Sequence, residues 1–148
     1  MARMERITAT VRAFLATGPL AHVVTLDPDG TPHVSMAWVG ADGDELVFST
    51  FPDQHKLANL RRDPRVTLSF QANEWDRTTP GLHPYLVIRG TARVTEGGAL
   101  PVMDRLAEVY MGPGRQFWWR EAPPGYVIHV AVERLYGNGP WREADAAR

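Results

Sequence analysis

The chain has 148 residues, 44% of them hydrophobic, with 16 Lys plus Arg against 17 Asp plus Glu and no Cys. A net charge of −1 argues against a protein that works by neutralising nucleic-acid phosphates or anionic lipid. The lack of Cys excludes disulfides, a thiolate nucleophile and Cys-ligated zinc or iron–sulfur centres. The length suits a single domain over 1–148, with 1–3 and 143–148 expected to fray. No apolar run reaches the length of a membrane span, so a soluble, cytoplasmic protein is expected, with neither nucleic acid nor membrane as partner.

Met4, Ile7, Val11, Phe14 and Leu15 recur at steps of three and four, which predicts an amphipathic helix from Met4 to Ala16, ended at Gly18-Pro19. A strand from Leu20 to Leu26 then turns through Asp27-Pro28-Asp29-Gly30 into a second from Pro32 to Val39. Ala41-Asp42-Gly43-Asp44 reads as the next turn and Glu45–Thr50 as a third strand. Asp53 is placed to cap a short helix that sends Leu57 and Leu60 inward and stops at Asp63-Pro64.

Alternation returns in Val66–Gln71, and Tyr85–Val94 is a long β-rich run in which Gly90 marks a bulge or bend. Ala72–Pro84 reads as an exposed connection, Ala99–Tyr110 as a second amphipathic helix, and Met111–Gly125 as an irregular loop around Phe117-Trp118-Trp119. Tyr126–Val132 and Arg134–Tyr136 read as the last strands, followed by a turn at Gly137-Asn138-Gly139-Pro140. Six to seven antiparallel strands with short turns and peripheral helices predict a mainly β fold, a small barrel.

His22, His33, His55, His83 and His129 fall in five different segments without metal-ligand spacing, so no metal site is expected. There is no Gly-x-Ser-x-Gly elbow, P-loop or dinucleotide fingerprint. The segment Ser49-Thr50-Phe51-Pro52-Asp53-Gln54-His55-Lys56 is different. Hydroxyl groups at a strand end, a helix start and a lysine could together hold one anion such as a phosphate, or Lys56, Arg61 and Arg62 could simply be a solvated helix face.

The Val24–Ser35 hairpin, the Leu46–Thr50 strand, the segment Lys56-Leu-Ala-Asn-Leu-Arg-Arg-Asp-Pro-Arg65 and the later Ile88-Arg-Gly-Thr-Ala92 resemble, in that order, the flavin and deazaflavin split-barrel superfamily. That superfamily includes pyridoxamine 5′-phosphate oxidases and oxidoreductases dependent on the deazaflavin coenzyme F420. Pro123-Pro-Gly-Tyr126 and Gly137-x-Gly-Pro-Trp141 are most similar to the deazaflavin branch.

The resemblance implies a split barrel, a homodimer, and a cofactor, F420 or alternatively FMN, in a cleft between subunits. It implies a phosphate site of Lys56 with Ser49, Thr50, His55 and Asn59, where His55 replaces the Arg of many relatives. It further implies that Pro32, Val34, Ser35 and Met36 lie along the tricyclic ring and that Tyr85 lies in the cofactor cleft. Tyr85 and Ser35 are then candidates for donating a hydrogen bond to the reduced product. Arg61 and Arg62 are expected to hold the helix surface and Asp63, although they or Arg115 could line a groove for the deazaflavin tail.

The implied activity is hydride transfer to a small electrophilic substrate such as a quinone or conjugated carbonyl, in a pocket formed by the loops 72–84 and 111–124. A non-enzymatic barrel that holds a cofactor or haem is the rival reading. Trp38, Trp118, Trp119 and Trp141, in or beside turns, would add exposed aromatic surface suited to a subunit interface.

Overall fold

A computed structural model describes residues 6–74 and 83–141. In chain order the elements are α1 (Ala9–Leu15), β1 (Ala21–Leu26), β2 (Pro32–Ala37), β3 (Gly40–Asp42), β4 (Glu45–Thr50), α2 (His55–Arg62), β5 (Arg65–Gln71), β6 (Tyr85–Glu96), α3 (Ala99–Tyr110) and β7 (Tyr126–Asn138). The strands form one antiparallel sheet in the order β2-β1-β5-β6-β7-β4-β3.

The long β6 and β7 organise the sheet. The Tyr85–Thr91 stretch of β6 pairs with β5, whereas the Tyr126–Ala131 stretch of β7 pairs with β4. Their mutual register slips between Arg89 and Gly90, where Glu133 is the extra residue and accepts a hydrogen bond from Thr91 Oγ1. The bulge expected at Gly90 is therefore present, and it merges the two expected last strands into one. Gly90 is required there because a Cβ would lie 2.2 Å from the Ala131 carbonyl oxygen. The bend lets the sheet curl around a core that includes Val23, Leu46, Phe48, Leu68, Phe70, Ile88 and Ile128, all essentially inaccessible to solvent.

Helix α1 lays Val11 and Leu15 into this core. It begins at Ala9, where the Thr8 side chain accepts the Val11 N–H and caps it; Met4 and Glu5 of the expected helix lie outside the described residues. The expected turn at 41–44 is tighter than the sequence implied, since Gly40–Asp42 pairs with Glu45–Val47 as the short β3. Likewise Gly137 and Asn138 belong to β7 rather than to a turn. Asp53 does not cap α2; Gln54 occupies that position, while Asp53 takes φ 69° in the turn before it. Asp63 is gripped by Arg65 and not by Arg61 or Arg62. Arg61 lies over the Tyr126 ring, and Arg62 donates to Leu26 O and to Asn59 Oδ1.

Trp141 is core, packed 4.8 Å from Phe14, so it adds nothing to an interface. The expected exposed connection falls largely on 75–82, outside the described residues. Among the described residues no helix is long and apolar enough to cross a membrane.

Candidate functional site

Where β4 ends and α2 begins, the chain borders a cleft of about 440 Å³. Apolar and aromatic side chains, among them Leu20, Met36, Trp38, Phe51, Phe117 and Trp118, line it together with the polar Ser49, Gln54 and Lys56. Most of this surface is apolar or aromatic, so the few polar groups decide what can bind.

Lys56 is the principal one. Its side chain is 7% exposed, and among the described residues it makes no ion pair or hydrogen bond. Burial pushes its pKa below the ordinary lysine value, as expected for an ammonium that gives up part of its hydration without a counter-charge. A buried, unpartnered cation on a cleft wall suits an anionic ligand.

Gln54, which the sequence reading missed, is the second. Its Oε1 accepts from Thr50 Oγ1 and from the Phe51 N–H at 3.3 Å. Because a backbone N–H can only donate, the oxygen must face it, which leaves the Gln54 amide nitrogen to donate elsewhere. The same contacts reassign the hydroxyls. Thr50 is fully buried and spends its proton on Gln54, and Ser49 donates to the Ala99 carbonyl at 2.8 Å. Neither hydroxyl proton is available to an anion, and Thr50 does not line the cleft.

His55 and Asn59 belong to a separate network under the β1–β2 hairpin. Asp27 Oδ1 takes His55 Nε2 at 2.6 Å and Asn59 Nδ2 at 3.0 Å, and Asn59 Nδ2 also reaches Thr25 Oγ1 at 3.0 Å. His33 stacks on His55. These donors hold the Asp27 carboxyl below the usual range, with the Asn59 hydrogen bond contributing most.

Among the expected ring-contact residues, the alternation of β2 sends Val34 and Met36 to the exposed face, while the Ser35 Oγ is buried without a partner. Only Met36 of Pro32, Val34, Ser35 and Met36 lines the cleft. Tyr85, 42% exposed, lies opposite Gln71 and Asn138 on its sheet neighbours, away from this cavity. Arg61, Arg62, Arg115 and the five histidines do not line it either, and no cluster of metal-ligating side chains occurs among the described residues.

The aromatic wall was not legible as a wall. Phe51 and Phe117 stack at 6.1 Å, Trp38 meets Phe117 edge-on at 6.2 Å, and Phe51 lies 5.2 Å from Trp119. Of the two loops expected to form the pocket, 111–124 contributes to it, while 75–82 lies outside the described residues.

The family model of pyridoxamine 5′-phosphate oxidase matches residues 7–139. The chain belongs to the pyridoxamine 5′-phosphate oxidase family. Its seven-stranded sheet with three helices is the split barrel expected of that family. Among solved structures, an F420 reductase is similar at 25% identity and a TM-score of 0.66, over 84% of this chain and 94% of that one. A conserved hypothetical protein from Mycobacterium tuberculosis shares the fold at 24% identity and a TM-score of 0.72, over 93% and 87% of the two chains. The heme storage protein HutZ from Vibrio cholerae shares it at 16% identity and a TM-score of 0.63, over 91% and 96%. No curated protein matches in sequence. The fold is thus shared with an F420 reductase and with a heme storage protein, and by itself it does not select an activity.

Proposed function

We propose that this member of the pyridoxamine 5′-phosphate oxidase family is an oxidoreductase that binds reduced coenzyme F420 and passes hydride to a small, planar, electrophilic acceptor such as a quinone or conjugated carbonyl. The observation that carries the reading is Lys56, buried without a counter-charge beside an aromatic wall. One cleft therefore offers a cation for a phosphate and ring faces for a tricycle, which fits a phosphorylated flavin or deazaflavin. No histidine lines it to serve as an axial ligand, which favours this reading over heme storage.

Lys56 would pair with the cofactor phosphate, and the Gln54 amide nitrogen would add a hydrogen bond. Phe51, Phe117 and Met103 would keep water from the ring and fix its orientation. When bound, the deazaflavin supplies the hydride. The likeness to an F420 reductase and the C-terminal Gly-x-Gly-Pro-Trp segment support F420 over FMN.

The working unit in this proposal is a homodimer. The sheet ends at β2, whose outer face exposes Val34 (58%) and Met36 (45%), with Leu20 (43%) nearby in sequence to β1. Met36 belongs both to this face and to the cleft, so a second copy docked there would complete the cleft wall.

Fluorescence titrations with F420, FMN and haem test the cofactor, and sedimentation with and without cofactor tests the dimer. F420 should bind tightest, to a protein that purifies colourless. A stoichiometric yellow flavin surviving purification would make the protein an FMN enzyme instead, and a monomer at saturating cofactor would overturn the shared cleft.

A further inference from the structure

Asp104 lies on α3 next to Met103, which lines the cleft. Arg120 grips its carboxylate with both ends of the guanidinium, Nη1 to Oδ1 at 2.6 Å and Nη2 to Oδ2 at 3.1 Å. The same Oδ1 accepts the Phe117 N–H at 2.9 Å, and Arg120 Nη1 also donates to the Phe117 carbonyl at 3.1 Å. Both backbone polar groups of Phe117 are thus tied to one ion pair, and its ring is buried against Phe51. Further backbone bonds, Arg120 N to Trp118 O and Ala122 N to Trp119 O, close the loop behind it.

This clasp fixes two residues whose side chains remain in water. Trp118 is 74% exposed and Trp119 38% exposed, with rings 6.2 Å apart and 18° from parallel. An exposed Trp on a loosely held loop would turn inward and recover the free energy of burial. These two are held at the cleft by an anchored loop, so a ligand that covers them accounts for their position. Leu20, Met36 and Met103 share the wall, and the nearby Arg120 charge is already committed to Asp104, which selects against a charged ligand. Indole faces are electron-rich and favour an electron-poor ring.

We propose that Trp118 and Trp119 are the stacking platform for the planar, uncharged, electron-poor ring of the acceptor substrate, and that Asp104 is the positioning residue that holds this platform over the cleft. The assignment rests on the cleft being the redox site proposed above, with Lys56 serving the cofactor and the platform serving the acceptor.

The probe is menadione, an uncharged naphthoquinone, measured by equilibrium dialysis against the cofactor-free protein. Trp118→Leu should raise its dissociation constant about tenfold, within the usual range for loss of one aromatic stack. Asp104→Asn and Arg120→Gln should each raise it about fivefold, and Arg89→Gln, in a different cavity, should leave it unchanged. In turnover, Asp104→Asn should raise KM for menadione while kcat changes little.

Wild-type affinity in both Asp104→Asn and Trp118→Leu would overturn the proposal, as would an equal loss in Arg89→Gln. So would a Trp118→Leu variant that dissociates a dimer without altering menadione binding, because a second copy would then be what covers the ring. Trp118 is exposed, so its variant remains informative if Asp104→Asn folds poorly. Failure of F420 to bind the wild-type protein would instead count against the cofactor reading, and the dialysis would still report on the platform.

Discussion

The imidazoles of His33 and His55 lie face to face, with ring centroids 4.1 Å apart and planes 9° from parallel. They meet where the β1–β2 hairpin abuts the start of α2, and Asp27 fastens the contact through His55 Nε2 at 2.6 Å. One side of the hairpin network thus consists of aromatic stacking and the other of a carboxylate with two nitrogen donors. This network ties the first turns of α2, beside Lys56, to the hairpin.

Asp27→Asn tests the carboxylate. Because Asn59 and His55 lower the Asp27 pKa in the folded protein, its contribution to stability is present above the ordinary carboxylate value and is lost as pH falls through the lowered one. The melting temperature of the variant should lie below wild type at pH 7, with the gap closing as the pH falls below the ordinary carboxylate range. Melting curves collected across that range check the sign.

Lys56→Met removes a buried charge that has no partner. The cofactor-free variant should be about 1 kcal/mol more stable than wild type at pH 7, because an apolar side chain of similar length carries no desolvation cost. A base whose folded pKa is lowered regains stability as pH rises through that value, so the advantage of the variant should shrink toward alkaline pH. F420 binding should weaken by roughly 1.5–3 kcal/mol, the size of a hydrogen bond to a charged group. Chemical denaturation and fluorescence titration give the two numbers.

Gln54→Leu should weaken F420 binding by about 1 kcal/mol through loss of the free amide donor. It also strips the Thr50 hydroxyl and the buried end of the turn of their acceptor, so stability should fall as well. Gln54→Glu separates the effects, since it keeps the acceptor while placing a like charge against a phosphate. Titration of both variants should show Glu more damaging to binding than Leu and less damaging to folding.

Gly90→Ala should cost about 2–3 kcal/mol, in the usual range for overpacking a core. The new methyl group would meet Val130 Cγ1 at 2.7 Å in addition to the Ala131 carbonyl oxygen. The carbonyl cannot retreat without parting β6 from β7. Equilibrium unfolding in urea measures the loss.

Periodicity made most of the fold readable. Val66, Leu68 and Phe70 alternate inward as their spacing implies, and Gly90 announced its bulge because a strand interior has little other use for glycine. The misreadings came from competing local bonds. Asp53 is a good capping residue in isolation, but the turn that Gln54 closes needs a positive φ at position 53, and an Asp tolerates it. Trp141 stands among turn residues yet packs on Phe14, a partner distant in sequence.

For the site, Lys56 was legible from its helix start and the preceding strand end. Ser49 and Thr50 were visible as donors, but which acceptors would take their protons depends on Ala99 and Gln54 in the folded chain. The aromatic cluster draws Trp38, Phe51 and Phe117 from three separate stretches, and no local pattern reveals such an assembly.

The turn closed by Gln54 has a kinetic consequence. Since the Thr50 hydroxyl and the Phe51 N–H already converge on the Gln54 side chain, the segment leading into Lys56 has its shape before any anion arrives. In the proposed complex, encounter then requires no rearrangement of this segment, and the on-rate should be set by diffusion and by the Lys56 charge. Changes of ligand, or of the residues that touch it, should therefore be felt chiefly in how long the complex lasts.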